Sequence, residues 1–201
     1  IIDSEDLPLN VSREILQQNR ILDNIRTSSV KKLLSEFKKL GADADKARKV
    51  EEDKRTDDDK KAIEKWNKFV KNFNRPMKEG LYQDYVNRDE IAEIVRFKST
   101  DPSGTGDDNW TSFADYVQRM KPEQKSIFYI TGTDEKNLRE NPLLKAYTSK
   151  GFEVLVMADD IDEIVIPGFG KYKDFELKAV NRAGSDEDLG GDKEEAKKKE
   201  E

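Results

Sequence analysis

The pattern of apolar residues changes its period near Lys125, and this change most constrains the fold. Before it, apolar residues recur at spacings of three and four, as in amphipathic helices. After it, a helix-like segment separates two dense apolar runs, "SIFYIT" (126–131) and "FEVLVM" (152–157). Such runs predict a parallel strand pair with a right-handed crossover, and "FELKAV" (175–180) supplies a third strand. We therefore expect a mixed α/β chain, with a helical coil connector followed by a small αβα sandwich at 122–182.

The helical part is predicted as a short turn at 12–18 and a long helix from about Asn19 to Leu40, with Gly41 as its stop. Residues 41–61 contain one large aliphatic residue, Val50, and are interpreted as a solvated loop or a helix held by ion pairs. The pairs expected there are Glu51 with Arg55 and Asp57 with Lys61.

Helical spacing resumes at 63–73, and "NRPMKEG" (74–80) is predicted to break that helix. Further amphipathic helices are expected around 91–97 and 113–120. We interpret the two tryptophans as packing residues rather than ligand contacts, because large aromatic side chains are usually well buried.

The amino-acid composition of the chain excludes several classes of function. The chain has no cysteine and no histidine, which excludes disulfides, serine–histidine triads and most transition-metal hydrolase sites. Its net charge is −6 and it has no long basic run, which argues against nucleic-acid binding. No apolar run approaches the roughly 18 residues that a membrane span requires.

An acidic cluster follows the second predicted strand, where open α/β sheets bind ligands. Asp159, Asp160, Asp162 and Glu163 could hold a magnesium ion in a phosphate-handling enzyme. The favoured interpretation is that Asp159 or Asp160 caps the next helix, since no phosphate-binding loop accompanies the cluster.

In the apolar segment after the cluster, "IVIPGF" (164–169), a proline and a glycine are expected to interrupt the helix that Asp162 starts. This segment is either a turn covering the core or an exposed strip for partners.

Three polar residues near the start of the chain are the strongest candidates for an anion contact. Asn10, Arg13 and Gln17 share one side of a helical turn, at spacings of three and four. A guanidinium group is always charged and binds phosphate oxygens through two parallel hydrogen bonds. The residues alone leave open whether Arg13 contacts a phosphate or is a surface arginine paired with Asp6 or Glu14.

The segment "DSEDLPLNVSREILQQN" (3–19) resembles the middle-domain signature of the ninety-kilodalton heat-shock chaperone family, and "NVSREILQ" within it is closer to the bacterial HtpG type than to the eukaryotic type. The similarity continues in order through "RFKST", "DYVQRMKPEQKSIFYITG", "NPLLKAYTSKGFEVLVMADDIDE" and "GKYKDFELKAV". The resemblance implies the latter part of a middle domain. Its expected parts are the catalytic loop at the end of the large subdomain (1–18), the helical connector (19–121), the small αβα subdomain (122–182) and a charged tail (183–201) leading to an absent C-terminal dimerisation domain.

By this resemblance, Arg13 contacts the γ-phosphate of ATP held by the N-terminal domain, with Asn10 and Gln17 in support. ATP and magnesium would be bound mainly by that absent domain, so this fragment should neither hold a metal nor hydrolyse ATP alone. Glu163 and Ile164 are predicted client contacts, because this edge of the small subdomain borders the client cleft of the family. The parent would be a cytoplasmic homodimer that assists folding of partly folded clients.

Two hypotheses from other classes remain open at this stage. One is the magnesium-dependent enzyme using the carboxylates of Asp159, Asp160 and Asp162. The other is a purely structural helical interaction module with no nucleotide role.

Overall fold

The computed structural model describes residues 20–101 and 110–181 of a chain that divides into two compact units, residues 1–62 and 63–201. The helices in the described residues are α1 (Arg20–Arg48), α2 (Asp57–Gln83), α3 (Arg88–Ile94), α4 (Phe113–Arg119), α5 (Glu135–Glu140), α6 (Pro142–Ser149) and α7 (Asp162–Phe169), with a 3-10 turn at Glu52–Lys54. The strands are β1 (Lys98–Ser99), β2 (Ser126–Thr131), β3 (Leu155–Met157), β4 (Lys171–Tyr172) and β5 (Phe175–Ala179). The mixed α/β class predicted from the sequence is confirmed.

Helix α1 continues past Gly41, so the predicted stop there is wrong. Gly41, Ala44 and Ala47 are all buried and recur every three residues, which forms a stripe of small side chains. A glycine that is buried in such a stripe favours close packing over a helix end. The helix ends after Arg48, where Arg55 donates from Nη2 to the Arg48 carbonyl at 3.2 Å.

The connection between α1 and α2 is held by different pairs from those predicted. Glu51 pairs with Lys54, while the Nε of Arg55 donates to the Val50 carbonyl at 3.0 Å. Helix α2 then begins with a reciprocal cap, in which Thr56 N–H donates to Asp59 Oδ2 at 2.9 Å and Asp59 N–H donates back to Thr56 Oγ1 at 3.2 Å. This cap explains why the second helix starts within the charged segment.

Helix α2 passes through Pro76 and Gly80 without ending, so the predicted break is also wrong. Burial along one side of the helix stabilises it against the lost proline hydrogen bond. Trp66 is the first residue of this buried side of α2, and it is 0% exposed, as expected for a packing residue. Asn74 lies on the same buried side of α2. Its Nδ2 donates to the Arg96 carbonyl and its Oδ1 accepts the Arg96 N–H, both at 2.8 Å.

The five-stranded sheet has the order β1-β3-β2-β5-β4. Strand β2 pairs in parallel with both β3 and β5, which confirms the parallel arrangement predicted from the dense apolar runs. Strand β3 begins at Leu155, three residues later than the run that predicted it. The short antiparallel edge strands β1 and β4 had no periodic signal long enough to predict them.

The helices flank the sheet on two faces. The β2 to β3 crossover runs toward one edge and the β3 to β5 crossover toward the other, so right-handed connections place α5 and α6 opposite α7. The α5–α6 face packs one apolar cluster, formed by Phe128, Ile130, Leu138, Leu144, Tyr147, Val154, Val156 and Val180. On the other face, α7 includes Pro167 within its eight residues, so the expected interruption is wrong. In so short a helix, a proline at the sixth position costs few hydrogen bonds.

Candidate functional site

The strongest candidates from the sequence, Asn10, Arg13 and Gln17, lie outside the described residues. Their predicted phosphate contact therefore stays a prediction. The described candidates are the acidic cluster and the two proposed client contacts, all on or beside helix α7.

Helix α7 presents Glu163 and Ile164 to solvent. Ile164 is 66% exposed, whereas the neighbouring Val165 and Ile166 are 2% and 0% exposed. The sequence allowed the apolar segment that begins at Ile164 to be either a turn covering the core or an exposed strip, and the segment combines the two. It covers the core with one side and leaves an apolar side chain uncovered on the other.

A buried ion pair fixes the start of α7 against α2. Lys78 is 2% exposed, and its Nζ donates to Asp162 Oδ2 at 2.9 Å and to Asp159 Oδ2 at 2.7 Å. The same ammonium lies 4.7 Å from the centre of the Phe97 ring, a favourable cation–π distance. Because a charge this deeply buried needs partners, the pairing restricts where α7 can sit relative to α2.

Asp162 is fully buried, and its surroundings act on its pKa in opposite directions. Its Oδ2 also accepts the Asp159 N–H at 3.2 Å, and its Oδ1 lies 2.8 Å from the Lys78 ammonium without hydrogen-bond alignment. Burial raises the pKa of the Asp162 carboxyl and outweighs the lowering by Lys78.

Asp160 is exposed and has a separate partner on α2. The Nε of Arg75 donates to its Oδ1 at 3.1 Å, and this hydrogen bond lowers the pKa of the Asp160 carboxyl. Neither Asp159 nor Asp160 caps α7, whose N-cap residue is Ile161, so that interpretation is wrong. The carboxylate oxygens that a magnesium site would need are paired with a lysine and an arginine instead. No group of carboxylates in the described residues could hold a metal ion. The structure therefore does not support the magnesium-enzyme hypothesis.

Ile164 is one of four large apolar side chains that are exposed on α7, at the end of α2 and in the turn after α2. We call Tyr82, Tyr85, Val86 and Ile164 the α2–α7 surface; they are 48%, 75%, 90% and 66% exposed. Gly168 brings the two helices together, since a Cβ there would lie 2.9 Å from Cδ2 of Tyr82. The sequence prediction missed Tyr82 because it ended α2 before that residue, and it gave no role to Tyr85 and Val86, which lie in the turn after α2.

A cavity of about 430 Å³ opens beside this surface. We call it the α3 pocket, and its lining residues are Arg88, Asp89, Ala92, Glu93, Phe169, Lys171, Tyr172 and Lys173. Tyr172 donates to Glu93 Oε1 at 2.8 Å, and the Lys173 ammonium lies 3.0 Å from the same oxygen. A tyrosine hydroxyl is protonated and can donate at neutral pH, and burial raises the pKa of Tyr172 further above that range. Apart from Phe169, which lies in the apolar segment 164–169, none of these residues was singled out in the sequence, because the pocket joins two segments that are far apart along the chain.

Among the residues that the structure describes, no helix is both long enough and apolar enough to cross a membrane.

Comparisons with known proteins agree with the resemblance noted in the sequence. A family model described as Hsp90 protein matches residues 1–201. The chaperone protein HtpG of Treponema denticola is 61% identical over 202 residues, which cover 100% of this chain and 29% of that protein. The HtpG proteins of Treponema pallidum and Helicobacter pylori are 53% and 40% identical, each over 94% of this chain and 27% of their own length. The chain thus spans less than a third of these relatives.

A solved structure shows a similar fold. The middle domain of a Plasmodium falciparum heat shock protein superimposes with a TM-score of 0.65 at 29% identity, covering 84% of this chain and 61% of that one. The mixed α/β unit with its helical part is therefore similar to a heat shock protein middle domain.

Proposed function

Because this chain belongs to the Hsp90 family, we propose that it is the latter part of the middle domain of an ATP-dependent molecular chaperone, and that it binds partly folded clients. The observation that supports the client role is the α2–α7 surface, where four large apolar side chains are between 48% and 90% exposed. Exposed apolar side chains that share a surface are typical of interaction sites. Partly folded polypeptides expose the same kind of side chain, so the two can bury apolar area together.

Glu163 and Ile164 are the proposed client contacts on α7. Ile164 supplies apolar area, and Glu163, which is also exposed, places a carboxylate beside it. The Lys78–Asp162 pair holds the residue that precedes them, so both contacts are displayed from a rigid helix start.

The ATPase role of the chain is proposed for Arg13, with Asn10 and Gln17 in support. ATP and magnesium would be held by the N-terminal domain of the parent protein, since this sequence has no phosphate-binding loop. Arg13 would stabilise the charge that develops on the γ-phosphate during transfer. By itself, this chain should not hydrolyse ATP.

The partners implied by this role are client proteins and the parent's own N-terminal ATPase and C-terminal dimerisation domains. The parent is proposed to be a homodimer in the cytoplasm. Nucleic acid is not a proposed partner, because the net charge of −6 opposes phosphate binding.

The client role is tested with Ile164→Ser in the full-length parent protein. The probe is reduced, carboxymethylated α-lactalbumin, which stays unfolded without denaturant. We expect about a tenfold loss of affinity, because one central apolar contact in an interface can contribute over 1 kcal/mol. Leu143→Ser is the matched control, since Leu143 on α6 is 40% exposed but lies on the opposite sheet face. Equal losses in both variants would refute a role specific to the α2–α7 surface.

The ATPase role is tested by steady-state hydrolysis in the full-length protein carrying Arg13→Ala. We expect a loss of about 10³-fold, the lower end of what an arginine contact contributes to phosphoryl transfer. Arg26→Ala is the control, because Arg26 is an exposed arginine of α1. Normal hydrolysis by Arg13→Ala would remove Arg13 from the site.

A further inference from the structure

The α3 pocket contains two cationic side chains without a carboxylate partner among the described residues, Arg88 and Lys171. Lys173 is different, since its ammonium lies 3.0 Å from Glu93. Glu93 also accepts the Tyr172 hydroxyl at 2.8 Å, so this carboxylate is satisfied within the pocket wall. The lining has three cations and two carboxylates, which leaves one net positive charge in a chain whose net charge is −6.

Two aromatic rings hold the Arg88 guanidinium in the lining of this pocket. Its central carbon lies 5.4 Å from the ring centres of both Tyr85 and Phe169. Contact with ring faces orients a guanidinium while leaving its N–H groups available at the edge. Lys173, another lining residue, has a backbone φ of 53° in the turn between β4 and β5. A left-handed lysine is uncommon, and the ion pair with Glu93 stabilises this turn.

The pocket adjoins the α2–α7 surface at Tyr85. This residue belongs to that surface, and its ring centre lies 5.4 Å from the central carbon of the Arg88 guanidinium, which lines the pocket. A polypeptide lying on the apolar side chains therefore has a cationic cavity beside its path.

From these observations we propose that the α3 pocket binds an acidic side chain, Asp or Glu, of the polypeptide whose apolar residues occupy the α2–α7 surface. This proposal rests on the client-binding function and adds a preference among clients, namely apolar residues followed closely by a carboxylate. Arg88 would bind the carboxylate through its N–H groups, and Lys171 would add attraction from β4. Asp89 opposes binding, because it places a carboxylate in the same lining.

The test uses short dansyl-labelled peptides and the 201-residue chain. The peptides share two Leu-Phe pairs and differ at one position between them, which is Glu, Gln or phosphoserine. We expect the chain to bind the Glu peptide about fivefold more tightly than the Gln peptide, since partly exposed charge pairs contribute modestly. The preference should shrink at high salt, as screening requires.

Variants separate the pocket from the apolar surface. Arg88→Gln and Lys171→Gln should each reduce the ratio of the affinity for the Glu peptide to the affinity for the Gln peptide. Asp89→Asn should increase the preference, because it removes the opposing carboxylate. Lys145→Gln is the matched control, an exposed lysine of α6 outside the pocket, and should change nothing.

Each outcome bears on one proposal or the other. Failure of both the Glu and Gln peptides to bind would overturn the client surface itself. Equal binding of both, unaffected by Arg88→Gln, would overturn the acidic pocket while the client surface stands. Tighter binding of the phosphoserine peptide, with inorganic phosphate displacing the Glu peptide, would replace the carboxylate by a phosphate as the ligand.

Discussion

The two faces of the sheet pack against their helices with different kinds of buried side chain. On the α5–α6 face, eight buried residues form one cluster in which tyrosine carries the only side-chain polar atom. On the α2–α7 face, a lysine and an aspartate are buried together, and large apolar side chains remain exposed beside them. The first arrangement maximises apolar burial, and the second restricts helix placement.

This difference indicates that the α5–α6 face mainly stabilises the fold, whereas the buried ion pair on the other face mainly positions α7. Apolar clusters tolerate adjustment, since their contacts have no strict direction. A buried ion pair has directional bonds and a desolvation cost, and well-packed apolar residues of similar volume often serve stability equally well. The burial of Lys78 with Asp162 is consistent with a need to hold α7, which presents Ile164, in one position.

The largest effect is expected from breaking the ion pair. Lys78→Met leaves the fully buried Asp162 without a cation, and we expect a loss of about 4 kcal/mol in the free energy of unfolding. Urea unfolding followed by circular dichroism measures this loss. Hydrogen exchange of the α7 amides should accelerate as well, because the start of the helix loses its anchor.

The double variant Lys78→Met with Asp162→Asn sharpens this prediction. Removing the second charge should recover much of the loss, since no unpaired charge then remains buried. If Lys78→Met alone cost less than 1 kcal/mol, the ion pair would not be what holds the helix.

A somewhat smaller effect is expected on the apolar face. Leu144 is 5% exposed, and Leu144→Ala should cost about 3 kcal/mol from lost burial and the cavity left behind. Here the variant should still bind carboxymethylated α-lactalbumin normally in the full-length protein, whereas Lys78→Met should weaken that binding. Weakened binding in Leu144→Ala would show that the two faces are not independent.

The same contrast explains how far the sequence could predict this molecule. Strands β2 and β3 were predicted because each lies in a dense apolar run, and β5 was predicted from the segment "FELKAV". Their parallel pairing followed from the helical crossovers. The helix ends at Gly41 and "NRPMKEG" were predicted wrongly, because local propensity at a glycine or proline was overridden by burial along a helix side.

The candidate site was harder to predict for a related reason. Glu163 and Ile164 were named from the resemblance, and the structure places both on the exposed side of α7. Lys78 gave no local signal, because its partner Asp162 is 84 residues away in the sequence. Arg88 was missed likewise, since its ring partners Tyr85 and Phe169 meet only in the folded chain.

The smallest effect concerns pH, and it should have opposite signs at two neighbouring carboxylates. Hydrogen bonding to Arg75 lowers the pKa of Asp160 below its ordinary 3.8, so its contribution to stability is present above that pH and is lost as pH falls. Burial raises the pKa of Asp162, so stability declines as pH rises from 3.8 through the folded-state pKa.

Urea unfolding of Asp160→Asn and Asp162→Asn between pH 3 and pH 7, each compared with the unsubstituted chain, separates the two carboxylates. The advantage of the unsubstituted chain over Asp160→Asn should grow with pH, because only the ionised carboxylate pairs with Arg75. Its advantage over Asp162→Asn should shrink with pH, because ionisation of a buried group opposes folding. Parallel slopes for the two variants would mean that Lys78 offsets the burial of Asp162, and that the ion pair on the α2–α7 face stabilises the fold as well as positioning α7.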